Sequence, residues 1–467
     1  MGNVKGIQKK CPLKQLIDRV EQYVARVKEL EEKQSKMILS YNAFKVSWHR
    51  WVGTLLLCLC LLITGACQAT SARVDNVVRV TLWHGVNPPN NRDVFQKLVD
   101  RFNQTHADVQ VESLYVGQFE QQLPKIFTAI VGNAPPDILL YYPHITGQLV
   151  ELAAIRPLED WLDKSPKKSE ISLNLFEDMQ LNGHVWSVPM FNGNIGIFYR
   201  PSLFEKAGIT QLPKTWSELR EVAKKLTEDR NGDNRPEQYG MLMPLGKGEW
   251  TVLTWFPFLL SAGGEVVQNN RPNLVNPGAI AALQFWQDLL KDGSAVFSAP
   301  ERGFEEDNFI NGRVAMQLTG PWTYIMKSKV DYAVMPIPAS AERATVINGG
   351  NLFVMKSTPA RERAALKFLE YVLSEEFQTE WSIGSGFLPV NEKAAKSKAY
   401  QEYLEQQPVL KVFLEQMAVA RTRPIIAGYN RLSENLGRAI EATLMGESPE
   451  KALQKAQERI ELIWQDD

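Results

Sequence analysis

Past residue 67 this chain contains no cysteine: Cys11, Cys58, Cys60 and Cys67 are the whole inventory. That excludes an intradomain disulfide, a thiolate zinc site and a thiol nucleophile downstream, and leaves stability to core burial. Histidine is nearly as scarce, with five in all and four after residue 66, and neither HExxH nor GxSxG occurs. A secreted glycoside hydrolase using two carboxylates has nothing in its favour beyond the Asp and Glu that any chain of this size carries. Basic runs are missing too. Residues 1–36 hold nine Lys/Arg against five Asp/Glu and residues 37–66 add two positives, so the net −1 of the whole chain becomes −7 over residues 67–467. A mildly acidic surface argues against nucleic acid and against an anionic membrane surface as partners. Neither an internal repeat nor a low-complexity linker is evident.

One apolar run, Leu55 to Cys67 (LLLCLCLLITGAC), stops short of the about 20 apolar residues that a spanning helix needs. Lys45 and Arg50 precede it and the small residues Gly65 and Ala66 close it, so residues 37–66 read as a secretory signal. The signal resembles that of bacterial lipoproteins, in which the cysteine after the cut, Cys67 in this chain, is diacylated and becomes the first residue. Thr64 stands where that pattern prefers leucine. An uncleaved anchor with Cys67 as an ordinary thiol is the other reading, and both place residues 68–467 outside the cytoplasm. Residues 1–36 are an unusual forerunner: Leu13, Leu16, Val20, Tyr23, Val27 and Leu30 recur every three or four residues, which predicts a short amphipathic helix. Because Met37 opens a conventional signal, translation starting there is the expectation, and a cytoplasmic extension is the alternative.

From Val77 onward strand-like and helix-like segments alternate. VVRVTLWH, VQVESLYV and PPDILLYY read as strands, and DVFQKLVDRFNQTH and FEQQLPKIFTAIVGN as helices, which implies parallel strands with crossover helices. WSVPMF and GIFYR are further strands. TWSELREVAKKLTE is a helix with a capping box at Thr215 and Glu218. Helices are also expected around Ala279–Lys291 and Arg361–Leu373, and the last hundred residues read as mostly helical.

Several phrases in fixed order, GNAPPDILLYY, IGIFYRPSLFEKAGI followed by PKTWSEL, FINGRVAMQLTGPW, INGGNLFVMK, and GFLPV followed by GESPEKAL, resemble family 1 extracellular solute-binding proteins of ABC importers. These include maltodextrin and glycerol-3-phosphate receptors, and the resemblance runs from about Val77 to Trp464. It implies an α/β fold of two lobes joined by a hinge with a ligand cleft between them. By analogy residues 67–190 with 340–383 form the first lobe and 191–339 with 384–467 the second, with crossings near Pro189–Gly193, Pro336–Thr345 and Gly384–Gly386. It also implies no enzymatic activity and no cofactor. The implied partners are a small-molecule ligand, permease subunits and, through them, an ATPase. A monomer, lipid-anchored in the periplasm, is the expected form.

Sugars present apolar CH faces and rings of hydroxyls, so their receptors need flat aromatic surfaces and groups that donate and accept. Trp322, in Gly320-Pro321-Trp322, matches the position where maltodextrin receptors stack a ring on a glucosyl unit; the plain alternative is a core tryptophan after a turn. Phe119 falls where the glycerol-3-phosphate receptor has a ligand-touching tyrosine. Trp83 ends the first strand beside His84, which could equally cap the next helix. Tyr141, Tyr142 and His144 follow the PPDILL strand, with His144 where maltodextrin receptors carry an acidic ligand residue, whereas Asp137 inside that strand motif reads as structural. Asn192 and Asn194 stand at the first crossing, where their amides could bind hydroxyls or simply serve a Gly-rich turn. Of Trp250 and Trp255, one is expected in the cleft and the other in the core. Gly349 and Gly350 would let backbone N–H groups approach a ligand. Tyr429 and Arg431 precede a late helix. The phosphate-gripping arginine of the glycerol-3-phosphate receptor aligns with Ser433, which weighs against a phosphorylated solute.

The wording is most similar to cyanobacterial receptors for compatible solutes such as glucosylglycerol, sucrose and trehalose, with glycerol-3-phosphate or a maltodextrin as alternatives. Asp229, Asn231 and Asp233 have the one-three-five oxygen spacing of a calcium loop, but Gly240 stands where the bidentate glutamate belongs. An Asn-Gly turn accounts for the same residues.

Overall fold

The computed structural model describes residues 77–245, 249–298 and 305–464. The 1–36 extension, the 37–66 signal and Cys67 lie outside the described residues.

Alternation in the first strand, β1 (Val78–His84), buries Val80, Leu82 and His84 and leaves the residues between them partly exposed. It is followed by β2 (Val109–Tyr115), β3 (Ile138–Tyr141), β4 (Val188–Phe191), β5 (Gly196–Tyr199), β6 (Tyr239–Met243), β7 (Ala295–Phe297), β8 (Val314–Thr319), β9 (Ala333–Met335) and β10 (Gly350–Val354). β3 and β10 are buried at every position, as strands covered on both faces are. Helices form where the period is near 3.6. The helix Pro89–Thr105 starts with proline at its first position and buries Phe95, Leu98, Val99 and Phe102 on one stripe. In the helix Trp216–Lys225, Glu218 N donates to Thr215 Oγ1 at 3.2 Å and Thr215 N to the Glu218 carboxylate, the capping box expected there.

Two five-stranded sheets result, ordered β2-β1-β3-β10-β4 and β7-β6-β8-β5-β9. They follow one plan. In the first, β1 runs parallel to β2 and β3, and β10 is antiparallel to β3 and β4. In the second, β6 runs parallel to β7 and β8, and β5 is antiparallel to β8 and β9. Each antiparallel strand is the one that the other sheet hands over. Edge strand β4 leads through Asn192–Ile195 into β5, and edge strand β9 leads back through residues 336–349 into β10.

The segments between sheets bond to one another. Leu388 N donates to Asn192 O and Asn348 N to Gly193 O, both at 2.8 Å, and Thr345 Oγ1 donates to Ile195 O at 2.8 Å. One hydrophobic core surrounds the first sheet, including Phe368, Phe377 and Trp381. Two cores pack against the second sheet: Met241, Met316 and Leu318 cluster with Trp255, Trp286 and Leu436, while Phe198, Leu242 and Val314 cluster with Tyr400, Leu404 and Phe413.

Asp137 ties the first sheet to its covering helix. Its buried carboxylate accepts from Thr81 N and Arg361 Nη2, each at 2.8 Å. Asp137→Ala is expected to lower unfolding free energy by about 2–3 kcal/mol in urea titration, since it strands a buried backbone donor, whereas Arg361→Ala, at a half-exposed partner, should cost about 1 kcal/mol or less.

Candidate functional site

The turn after β3 meets the late helix Tyr429–Leu444, the last but one among the described residues. Pro143–Ile145 forms a single 3-10 turn that presents Tyr142 and His144, and Gly428, at φ 74°, starts the helix at Tyr429. The two backbones nearly touch: a Cβ on Gly147 would lie 2.5 Å from Ala427 N, so only glycine fits there.

Rings form a continuous track to this meeting point. Trp322 stacks on Phe387 with centroids 5.3 Å apart, Phe387 lies 4.3 Å from Phe191, and Phe191 lies 6.3 Å from Phe119. Phe119 packs 4.6 Å from Tyr142, Tyr142 stacks 5.6 Å from His144, and His144 lies 4.8 Å from Tyr429. Trp322 is half-buried and touches the core of both sheets.

A buried ion pair closes the track. Arg423 Nη1 donates to Glu249 Oε1 at 2.6 Å, Tyr429 OH donates to the same oxygen at 2.8 Å, and Ser433 Oγ donates to Oε2. Arg423 also faces the Tyr142 ring at 5.4 Å, a cation–π distance, and its Nη2 reaches Asn348 Oδ1 at 3.4 Å. Burial by itself would lower the guanidinium's pKa, but the Glu249 charge reverses this and the net shift is upward. Burial, then the Arg423 charge, holds His144 well below its usual range, so the imidazole is neutral. Burial and then Glu249 push the Tyr429 phenol up. Asp178, also buried, is raised to about 7 by its burial, and the Arg423 charge opposes the shift. Beside the pair an open groove of about 450 Å³ is lined by Gln180, Phe256, Leu259, Arg421 and Arg423 among others.

Of the residues singled out in the sequence, Trp322, Phe119, Tyr141, Tyr142, His144 and Tyr429 come together, with the Tyr141 side chain buried 5.7 Å from Phe119. Others do not join them. Trp83 is half-buried on the face of β1 opposite His84. Trp255 is fully enclosed in the second core, and Trp250 is almost so, because the helix Glu249–Ser261 is buried on all sides. Asn194 is engaged in the crossing, donating to Phe413 O at 2.8 Å and accepting from Gln416 Nε2 at 2.9 Å. Asn192 keeps a buried Oδ1 with no partner among the described residues. Gly350 makes room for Phe191, whose Cζ would lie 2.2 Å from a Cβ there, and Gly349 for Phe191 O, so a protein neighbour accounts for both. Arg431 lies exposed on its helix.

In the loop with calcium-like spacing, Asp229 accepts from Gly232 N and Asn234 N, and Asn231 and Asp233 accept from Asp233 N and Arg235 N, all at 2.8 Å, the bonding of a turn. Among the described residues no three His, Cys, Asp or Glu side chains are placed to hold a metal ion. Sequence reading missed Glu249, Arg423, Phe191 and Phe387. Glu249 carried one signal, a lone charge opening the apolar run EWTVLTWFPFLL.

Two sheets of one plan, joined by strand-like crossings over a ring-lined site, define a two-lobed binding protein. Residues 97–407 match the model of the bacterial extracellular solute-binding proteins, and the chain belongs to that family. The sn-glycerol-3-phosphate-binding periplasmic protein of Escherichia coli is 27% identical over 84% of this chain and 93% of its own, and that of Pectobacterium atrosepticum is 25% identical over 83% and 92%. The cyclic alpha-maltosyl-1,6-maltose binding protein of Arthrobacter globiformis superposes with a TM-score of 0.70 at 26% identity, over 84% of this chain and all of the other. The fold is shared with UgpB of Mycobacterium tuberculosis in complex with glycerophosphocholine, at a TM-score of 0.73 and 20% identity over 83% and 99%. The first three of these are named as binding proteins. Among the described residues no helix is long and apolar enough to cross a membrane.

His84, buried against Phe95 beside the track, is lowered to about 4 by burial first and the Arg92 charge second. The unfolded chain takes up this proton near 6.5 and the folded site resists it, so the contribution is complete above pH 6.5 and is lost as pH falls toward 4. His84→Gln should therefore remove up to about 3 kcal/mol of the acid-induced loss in that window, read as a flatter plot of melting temperature against pH.

Proposed function

We propose that this protein captures small neutral glycosides of the glucosylglycerol, sucrose and trehalose type and delivers them to the permease subunits of an ABC importer, where a partner ATPase drives uptake. A solute bridging the two lobes would favour their closed arrangement by its differential affinity, and no covalent step or cofactor is called for. Lipidation at Cys67 would hold the receptor, as a monomer, in the periplasm at a membrane surface. Trp322 and Tyr142, both half-buried, supply ring faces for sugar CH groups with Phe119 packed behind Tyr142, and Asn192 Oδ1, which has no partner among the described residues, supplies a polar contact.

The observation that carries this reading is the Glu249–Arg423 pair: the buried cation of the site already has its anion. Glycerol-3-phosphate is the competing solute, favoured by the names of relatives 25–27% identical, and a maltodextrin is the third.

The test is calorimetric titration of the full chain, kept soluble in a zwitterionic detergent, with glucosylglycerol, sucrose, trehalose, maltose and sn-glycerol-3-phosphate. Neutral glycosides are expected to bind and the phosphate ester to give no heat, and Trp322→Ala should weaken binding at least tenfold, about 1.4 kcal/mol. Binding of the phosphate ester alone would overturn the reading.

A further inference from the structure

We propose that Glu249 sets the charge selectivity of the site: it is a built-in anion that holds Arg423 and keeps phosphorylated and carboxylated solutes out. The inference rests on the neutral-glycoside reading above.

Among the described residues Arg423 is the one arginine or lysine in the buried class. Its side chain is 4% exposed and that of Glu249 13%. Three donors converge on the two carboxylate oxygens: the Arg423 guanidinium, the Tyr429 phenol and the Ser433 hydroxyl. A guanidinium flanked by two hydroxyls is the donor set that a phosphate or carboxylate ligand would use. The protein supplies the anion itself, from the first residue of another helix, 174 positions away along the chain. What remains close to Arg423 is the Tyr142 ring, the Asn348 amide oxygen, the uncharged His144 and the buried Asp178, whose carboxyl is raised to about 7 by burial against the opposing Arg423 charge. A second anion entering here would lose the cation to Glu249 and meet like charge in a poorly solvated place. A neutral polyol meets no such barrier.

Glutamine is nearly isosteric with glutamate and keeps an acceptor at Oε1, so Glu249→Gln removes the charge with little change of shape. The site then holds an unmatched guanidinium, and an external anion can take the vacated role. The experiment uses the full chain in zwitterionic detergent, with inorganic phosphate and sn-glycerol-3-phosphate as probes, read by calorimetry and by melting temperature. Glu249→Gln is expected to bind sn-glycerol-3-phosphate at least tenfold more tightly than the unaltered chain does, and phosphate should raise the melting temperature of the variant only. The double variant Glu249→Gln with Arg423→Met, which removes both charges, should lose the gained anion binding. If Glu249→Gln is too unstable to purify in plain buffer, its recovery in phosphate but not in chloride of equal ionic strength is the supporting outcome, and failure in both overturns the proposal.

The outcomes separate the two readings. Neutral glycosides binding the unaltered chain while Glu249→Gln stays blind to both anions would overturn the role of Glu249 and leave the solute class standing. Tight binding of sn-glycerol-3-phosphate by the unaltered chain would overturn both.

Discussion

Hydrogen bonds between the passes of chain from one sheet to the other fix everything else in this molecule. The first two passes each leave a sheet as an edge strand and enter the next as an antiparallel strand one place in from the edge. The direct bonds among Asn192, Gly193, Asn348 and Leu388 lie on the short stretch between the sheets. Side chains extend the stitch, through Asn194 to Phe413 and Gln416. Such a join confines motion to the few residues that compose it and lets each sheet with its helices move as a body.

The ring track and the ion pair lie on opposite sides of an energetic balance. Seven rings in sequence, from Trp322 to Tyr429, bury large apolar areas and stabilise the fold, with Trp322 touching both cores. Burying Arg423 and Glu249 has a desolvation cost of several kcal/mol per ion, which attraction and hydrogen bonding offset only when geometry is good. Here each carboxylate oxygen has a donor, and the guanidinium faces a ring. A pair of this kind contributes little net stability and much selectivity, because every departure from it leaves a charge without a partner.

Much of the fold was legible in the sequence. Alternation in VVRVTLWH and the 3.6 period of DVFQKLVDRFNQTH are local signals, and both produced the expected elements. The Thr215–Glu218 box needed only three residues of context. Part of the ring track was also legible: Trp322, Phe119, Tyr142, His144 and Tyr429 stood out in the sequence, while Phe191 and Phe387, which link Trp322 to Phe119, did not. The ion pair was not, because the chain between Glu249 and Arg423 gives no sign that they meet. Asn194 and Gly350 misled for a related reason: amides and glycines at a crossing look alike whether they serve a ligand or the neighbouring backbone. In a helix buried all round, Trp250 and Trp255 present no polar face by which to rank them.

The handed-over strand has a consequence for how the protein comes into being. β10 pairs Leu352 with Leu140, so the first sheet stays incomplete until every strand of the second has been threaded past. Contacts so far apart in sequence form late. A chain made from its N-terminus therefore has its first lobe still open while the strands of the second are added, and its tertiary structure closes only after the last handed-over segment has been made.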